Sequence, residues 1–379
     1  MLFNKYINKL IKKIYLNING SGLKNDSNYR LDIVDSCFDN RVNIINNREM
    51  FARIVDSYNK AKEVQIKSPR YYQVSNEWLP VYEKYMGSIM SAMKAKDVDK
   101  VMGIYNNFMR DNCSVGLHGL PVDMFKHYFS GNITKKYKKL FVEDSLYRFN
   151  LWRKSIGKAL GVGALDAPLI GNPYGFYIDG KFIRAGADYH HYYATIISRL
   201  IRGGGRKSVM ELGGGYGGMA YYLMRDNSDI TFIDFDLPEN LALASFYLMS
   251  AFPDKKIALF GEVDLLAEDL KQFDAVMMPN FEIDRISDGS VDLVFNSYSL
   301  AEMDSETIAN YINNFNRTAS KCIFHGNHTR NCLVSADVFG IDTGKFDLLY
   351  RAPALWNMAR NIDMDEYDYL YKNTNTTIA

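Results

Sequence analysis

The chain has 379 residues, 47% hydrophobic, 23% charged and 14% aromatic, with a formal net charge of +1. That length supports a large core and more than one domain, and the balanced charge excludes the broad basic field of a nucleic-acid-binding protein. No apolar run approaches the ~20 residues of a membrane span. Cys37, Cys113, Cys322 and Cys332 form no CxxC pair or secreted disulfide framework, so a cytoplasmic location is expected.

In chain order, MLFNKYINKLIKKIYL (residues 1–16) sets Leu2, Phe3, Tyr6, Ile7, Leu10, Ile11 and Ile14 at helical spacing, with lysines largely outside that stripe. Such a basic amphipathic helix can touch a membrane surface peripherally, or dock on its own protein, a partner or a second copy of the chain. From about residue 48 to 160 the apolar residues recur every three to four positions, as helices do. GNPYGFYIDGKFIRAG then reads as a β-hairpin turning at Asp179-Gly180.

Strand–helix alternation follows. RKSVMELG, DITFIDFD, KKIALFGE, DAVMMPN, SVDLVFNS and KCIFHGN read as strands, and the apolar segments between several of them as helices. This alternation predicts an α/β fold: a mostly parallel sheet with helices on both faces. FDLLYRAPALW and EYDYLYKN read as two final strands with little helix between them, so the second is expected to run antiparallel. The division drawn is a helical N-terminal cap or acceptor-recognition domain, residues 1–185, and an α/β domain, residues 186–379.

The chemistry is concentrated in SVMELGGGYGGMAYYL, residues 208–223. Gly213, Gly215 and Gly218 satisfy the dinucleotide spacing GxGxxG. Glu211, Gly213, Gly215 and Gly217 satisfy ExGxGxG, the first motif of S-adenosylmethionine-dependent methyltransferases. Glu211 separates the two readings, because a carboxylate there repels a pyrophosphate and suits an ammonium and a sulfonium. Asp236, ending the next strand before Leu237, can accept hydrogen bonds from ribose hydroxyls.

ELGGGYGGMA, IDFDLPEN, VDLVFNSYSLAEM and FHGNH, with the tyrosine-rich YHHYYATIISRLI before the glycines, resemble class I S-adenosylmethionine-dependent methyltransferases over roughly residues 160 to 379. More narrowly, they resemble the sugar O-methyltransferases of bacterial glycan biosynthesis. The resemblance implies a Rossmann-like methyltransferase fold, S-adenosylmethionine as cofactor, and a sugar, nucleotide-sugar or glycan of capsule or O-antigen type as acceptor. It implies donor contacts from Glu211, Gly213, Gly215, Tyr216, Gly217, Asp236, Leu237, Asn296 and Ser297. Asn280 and Phe281 are the expected adenine contacts, with the loop 261–264 as competitor, since KKIALFGE and DAVMMPN offer two strands where one is needed.

A sugar hydroxyl needs a base to become a nucleophile. His325 and His328 follow the strand KCIFHGN, Glu302 follows SVDLVFNS, and one of His190 and His191 in ADYHHYYAT faces the cleft, with His191 carried as the candidate. No HxH, HExxH or clustered-Asp pattern occurs, so no metal is expected. Two rival readings use the same residues: an NAD(P)-dependent oxidoreductase, and a methyltransferase-like binding subunit without catalysis.

Overall fold

A computed structural model of the chain describes residues 31–117, 133–156, 160–355 and 365–376, together with Leu10 and Ile14. The stretch 1–16 otherwise lies outside the described residues. Among the described residues, no helix is long and apolar enough to cross a membrane.

The N-terminal part is helical, as its periodicity predicts: α1 (Leu31–Ser36), α2 (Arg48–Gln65), α3 (Gly87–Lys94), α4 (Val98–Tyr105) and α5 (Lys135–Ile156). Side chains mark two of the starts, Asn47 accepting from the Met50 N–H and Asp97 from the Lys100 N–H. The hairpin β1 (Gly175–Ile178) and β2 (Lys181–Arg184) follows. Its turn holds Asp179 at φ 49° and Gly180 at φ 72°, the pair of left-handed residues that a two-residue turn of this hand requires.

Among the described residues, eight strands then form one sheet around α6 (Ala187–Leu200), α7 (Gly218–Asp226), α8 (Pro238–Ala251) and α9 (Ser305–Thr318). They are β3 (Lys207–Leu212), β4 (Ile230–Asp236), β5 (Ile257–Leu259), β6 (Ala275–Pro279), β7 (Val291–Ser297), β8 (Ala319–His328), β9 (Phe346–Pro353) and β10 (Glu366–Asn373). The order is β5-β6-β4-β3-β7-β8-β10-β9. Pairing is parallel from β5 to β8, and β10 enters antiparallel between β8 and β9. This is the mainly parallel sheet with a C-terminal antiparallel strand that the sequence predicts. Both candidate strands after α8 are used: β6 pairs with β4, and the three-residue β5 sits outside it as the edge.

Strand parity sorts the side chains into two cores. On one face Val209, Phe232, Met277, Leu293, Phe295 and Phe324 join the N-terminal helices, the hairpin and α6–α8 in a single apolar cluster. On the other, Met210, Ile233, Phe235, Val276, Val294 and Ile323 pack with Ile308, Ile312 and Phe315 of α9. Helices therefore cover both faces, and the N-terminal helices share their core with the sheet. The chain leaves β3 toward β4 on one side and returns to β7 on the other, which opens a crevice at the carboxyl end of β3.

Candidate active site

The glycine turn between β3 and α7 forms the floor of that crevice. Three of its amides are bonded to β4. Gly213 N–H donates to the Phe235 carbonyl (2.8 Å), Gly214 N–H to Asp234 Oδ1 (3.2 Å) and Gly215 N–H to Asp236 Oδ2 (3.0 Å). Gly214 has no room for a side chain, because a Cβ there would lie 2.6 Å from Asp234 Oδ1. Gly213, at φ 79°, also requires glycine.

Three buried carboxyl groups lie beside this turn on one face of the sheet. Glu211 and Asp234 are register partners on β3 and β4, and Asp236 is two residues further along β4. Burial, then the charges of Asp234 and Asp236, raise the Glu211 carboxyl well above its usual range. Its Oε2 is buried with no hydrogen-bond partner. Asp236 is pushed up to about 6 by burial, against hydrogen bonds from Asn240 Nδ2 (3.1 Å) and the Leu237 (2.6 Å) and Gly215 amides. Sequence reading missed Asp234, although its parity with Asp236 was visible in FIDFD.

Above the turn is a cavity of about 500 Å³, lined by Glu211, Gly213, Gly215, Asp236, Leu237, Asn280, Ser297, Glu302 and His328 among the expected residues, and by Gly214. The far wall comes from the N-terminal segment 70–78, including Tyr71, Gln73, Ser75, Asn76 and Trp78, and from Arg148 of α5. Tyr189, His190 and Tyr298 complete it. Tyr298, at φ 65°, turns the chain sharply after β7 and leads into the short helical turn Ser299–Glu302. None of these wall residues was singled out by sequence except His190, the neighbour of the chosen histidine.

Several expectations are corrected by the geometry. His325 and His328 both belong to β8, and a separation of three on a strand places them on opposite faces. His328 faces the cavity, whereas His325 is fully buried behind the sheet, stacked on Tyr369 at 4.6 Å, and burial lowers it to about 3. His191 turns into the core, where Trp152 Nε1 donates to its Nδ1 at 3.1 Å and burial lowers it to about 4. His190 takes the cavity position, with its ring over Gly218.

Tyr216 does not line the cavity. It packs in the core beneath the buried Arg184 guanidinium of β2, 5.3 Å from the ring, and Gly217 meets Leu248. Phe281 joins the second core against Phe260, so neither it nor the loop 261–264 reaches the cavity, and Asn280 alone does. Asn296 faces away. Its Nδ2 donates to the Leu212 carbonyl (2.9 Å), its Oδ1 accepts from Asn327, and Asn327 in turn accepts from the Ala301 N–H (3.2 Å). These amides bind the ends of β3, β7 and β8 together from behind.

Elsewhere in the lining, Trp78 Nε1 donates to Glu302 Oε2 at 2.6 Å. Burial raises the Glu302 carboxyl despite that bond. His328 Nδ1 lies 3.1 Å from Asp365 Oδ2.

No family model matches the chain, and no curated protein matches it. Among solved structures, the chain is similar to magnesium protoporphyrin IX methyltransferase from Synechocystis PCC 6803 with bound S-adenosylmethionine, at 12% identity and a TM-score of 0.35 over 49% of this chain and 77% of that one. It is also similar to the mitomycin 7-O-methyltransferase (10% identity, TM-score 0.34, 50% and 56%). The N-methyltransferase NodS from Bradyrhizobium japonicum with S-adenosyl-L-homocysteine is similar at 13% identity and a TM-score of 0.32, over 50% and 88%. At these values the likenesses assign neither a reaction nor an acceptor to this chain.

Proposed function

We propose that the protein is an S-adenosylmethionine-dependent methyltransferase whose acceptor is a sugar hydroxyl. The observation that carries the first half is that the glycine turn already spends its Gly214 and Gly215 amides on carboxyl groups. A dinucleotide needs those amides free for its pyrophosphate, yet Gly214 and Gly215 donate to Asp234 and Asp236. A phosphate here would further oppose the ionisation of carboxyl groups that burial already raises, in a poorly screened site. A ligand bearing an ammonium and a sulfonium instead supplies the donor that Glu211 Oε2 lacks, and ribose hydroxyls can reach the cavity edge of Asp236. The oxidoreductase reading is disfavoured on the same ground.

The donor, when bound, supplies a methyl group on a positively charged sulfur. The chain's own tasks are then to bind it on the glycine floor, align the acceptor from the opposite wall and take up the acceptor's proton. Of the base candidates that face the cavity, His190 lies over Gly218 beside the glycine turn, which leaves Glu302 and His328 for the acceptor's proton. The sugar assignment rests on the resemblance of the later motifs, and the wall suits it. Tyr71, Trp78 and Tyr189 offer aromatic surface to a sugar ring, while Gln73, Ser75 and Asn76 offer groups for its hydroxyls. The helical segment before residue 186 serves as the acceptor-recognition cap, and bacterial surface-glycan synthesis in the cytoplasm is the proposed setting.

Calorimetry with S-adenosylhomocysteine, NAD and NADP side by side tests the reading. Binding of the first alone is expected, and binding of NAD or NADP alone overturns it. Comparing the masses of cell-surface glycans with and without the gene then tests the acceptor, with one CH2 per methyl lost in the deletion.

A further inference from the structure

Two base candidates share the acceptor end, and their partners separate them. Glu302 accepts a hydrogen bond from Trp78 (2.6 Å) and lies in the short turn Ser299–Glu302, so its carboxylate is already engaged with the cap. His328, the last residue of β8, has its ring 5.5 Å from that of Tyr298 and its Nδ1 3.1 Å from Asp365. Asp365 precedes β10 and is 1% exposed. It accepts from the Arg330 N–H (2.6 Å), the Asn331 N–H (3.3 Å) and Asn331 Nδ2 (2.7 Å). Burial alone would raise this carboxyl, but those bonds, with His328, hold it below the usual carboxylate range. Asp365 is thus an ionised acceptor fixed by a backbone loop, so the hydrogen it shares with His328 comes from the imidazole Nδ1.

We infer that Asp365 is a positioning residue that holds His328 as the Nδ1–H tautomer, leaving the Nε2 lone pair as the base for the acceptor hydroxyl. The inference rests on the methyl-transfer reading and chooses the base within it. The hydroxyl proton passes to Nε2 as the oxygen's electron pair forms the C–O bond and the C–S pair returns to sulfur. The Asp365 carboxylate then faces the imidazolium so formed. Glu302 is left to orient the acceptor together with Trp78.

The test needs no known acceptor. Nitrogen-15 spectra of the full chain labelled at histidine report which ring nitrogen carries hydrogen, and the His328→Asn variant identifies the signals. Asn at that position retains an N–H for Asp365, so the loop 329–331 keeps its partner. Wild-type protein, free and with S-adenosylhomocysteine, is expected to show a hydrogen on Nδ1 and a bare Nε2. Asp365→Asn, whose amide can donate to Nδ1, is expected to shift the hydrogen to Nε2, and Asp365→Glu to restore it. A wild-type ring with its hydrogen on Nε2 overturns the inference, with or without a foldable Asp365 variant. So does an Asp365→Asn spectrum unchanged from wild type. Failure of S-adenosylhomocysteine to bind would instead strike the donor reading and leave the tautomer result legible.

Discussion

The two ends of the cavity are built on different plans. The glycine end is local. Glu211, the turn and α7 are continuous in sequence, and only β4 adds Asp234 and Asp236. The side proposed for the acceptor is assembled from distant segments: residues 70–78 before the sheet, Tyr298 and Glu302 after β7, and His328 ending β8, which Asp365 contacts from just before β10. The first end is hydrogen-bonded to itself before any ligand arrives, whereas the second depends on long-range contacts such as Trp78 to Glu302. A site of this kind can keep one donor while its acceptor is set by loops far apart in the chain.

Variants can break this contrast. The largest effect is expected from Asp236→Ala, which removes the acceptor of three hydrogen bonds and the ribose contact. S-adenosylhomocysteine affinity should fall about 100-fold or more, at about 1.5–3 kcal/mol per bond to a charged group, as read by calorimetry. Gly214→Ala comes next. Its methyl group would collide with the Asp234 carboxylate, and a loss of about 1–3 kcal/mol in denaturant unfolding is expected.

A pH series sharpens the same end. The Asp236 carboxyl, raised to about 6, must ionise to serve a hydroxyl donor, so donor affinity should rise as pH increases from 5 to 7. Calorimetry in buffers of different ionisation enthalpy should show proton release within that window. An affinity that falls with pH would contradict the assigned contact.

His325 tests the opposite assignment. Its folded-state value near 3 lies below the ordinary 6.5, so the unfolded chain binds the extra proton between those values. The stability it contributes is present above pH 6.5 and is lost as pH falls toward 3. His325→Phe should therefore flatten the acid side of the melting curve while leaving donor affinity unchanged. The smallest effect belongs to Trp78→Phe, which deletes the N–H to Glu302. Donor affinity should stay within about twofold, because neither Trp78 nor Glu302 is an assigned donor contact.

How much the sequence reveals follows the same division. Glycine spacing, Glu211 and Asp236 are readable because the strand, turn and helix that hold them are contiguous. The sheet, including its antiparallel return, follows from strand–helix alternation. The errors concern direction more than identity. Setting both His325 and His328 after the strand KCIFHGN placed them on one rim, whereas β8 runs through both and parity sends them to opposite faces. His190 and His191 pose the same question on a helix, and the answer depends on Trp152, 39 positions away in sequence. Trp78 and Tyr189 at the cavity, and Asp365 against His328, carry no local signal, because packing alone brings them there.

The shared core and the seat of Tyr216 under Arg184 also bear on how such a protein could be re-engineered. The donor turn leans on a hairpin that precedes residue 186, so exchanging the helical part as a block would disturb the very loop meant to stay constant. Changes of acceptor are better sought by point substitution along residues 70–78, where side chains meet the cavity without holding the glycines in place.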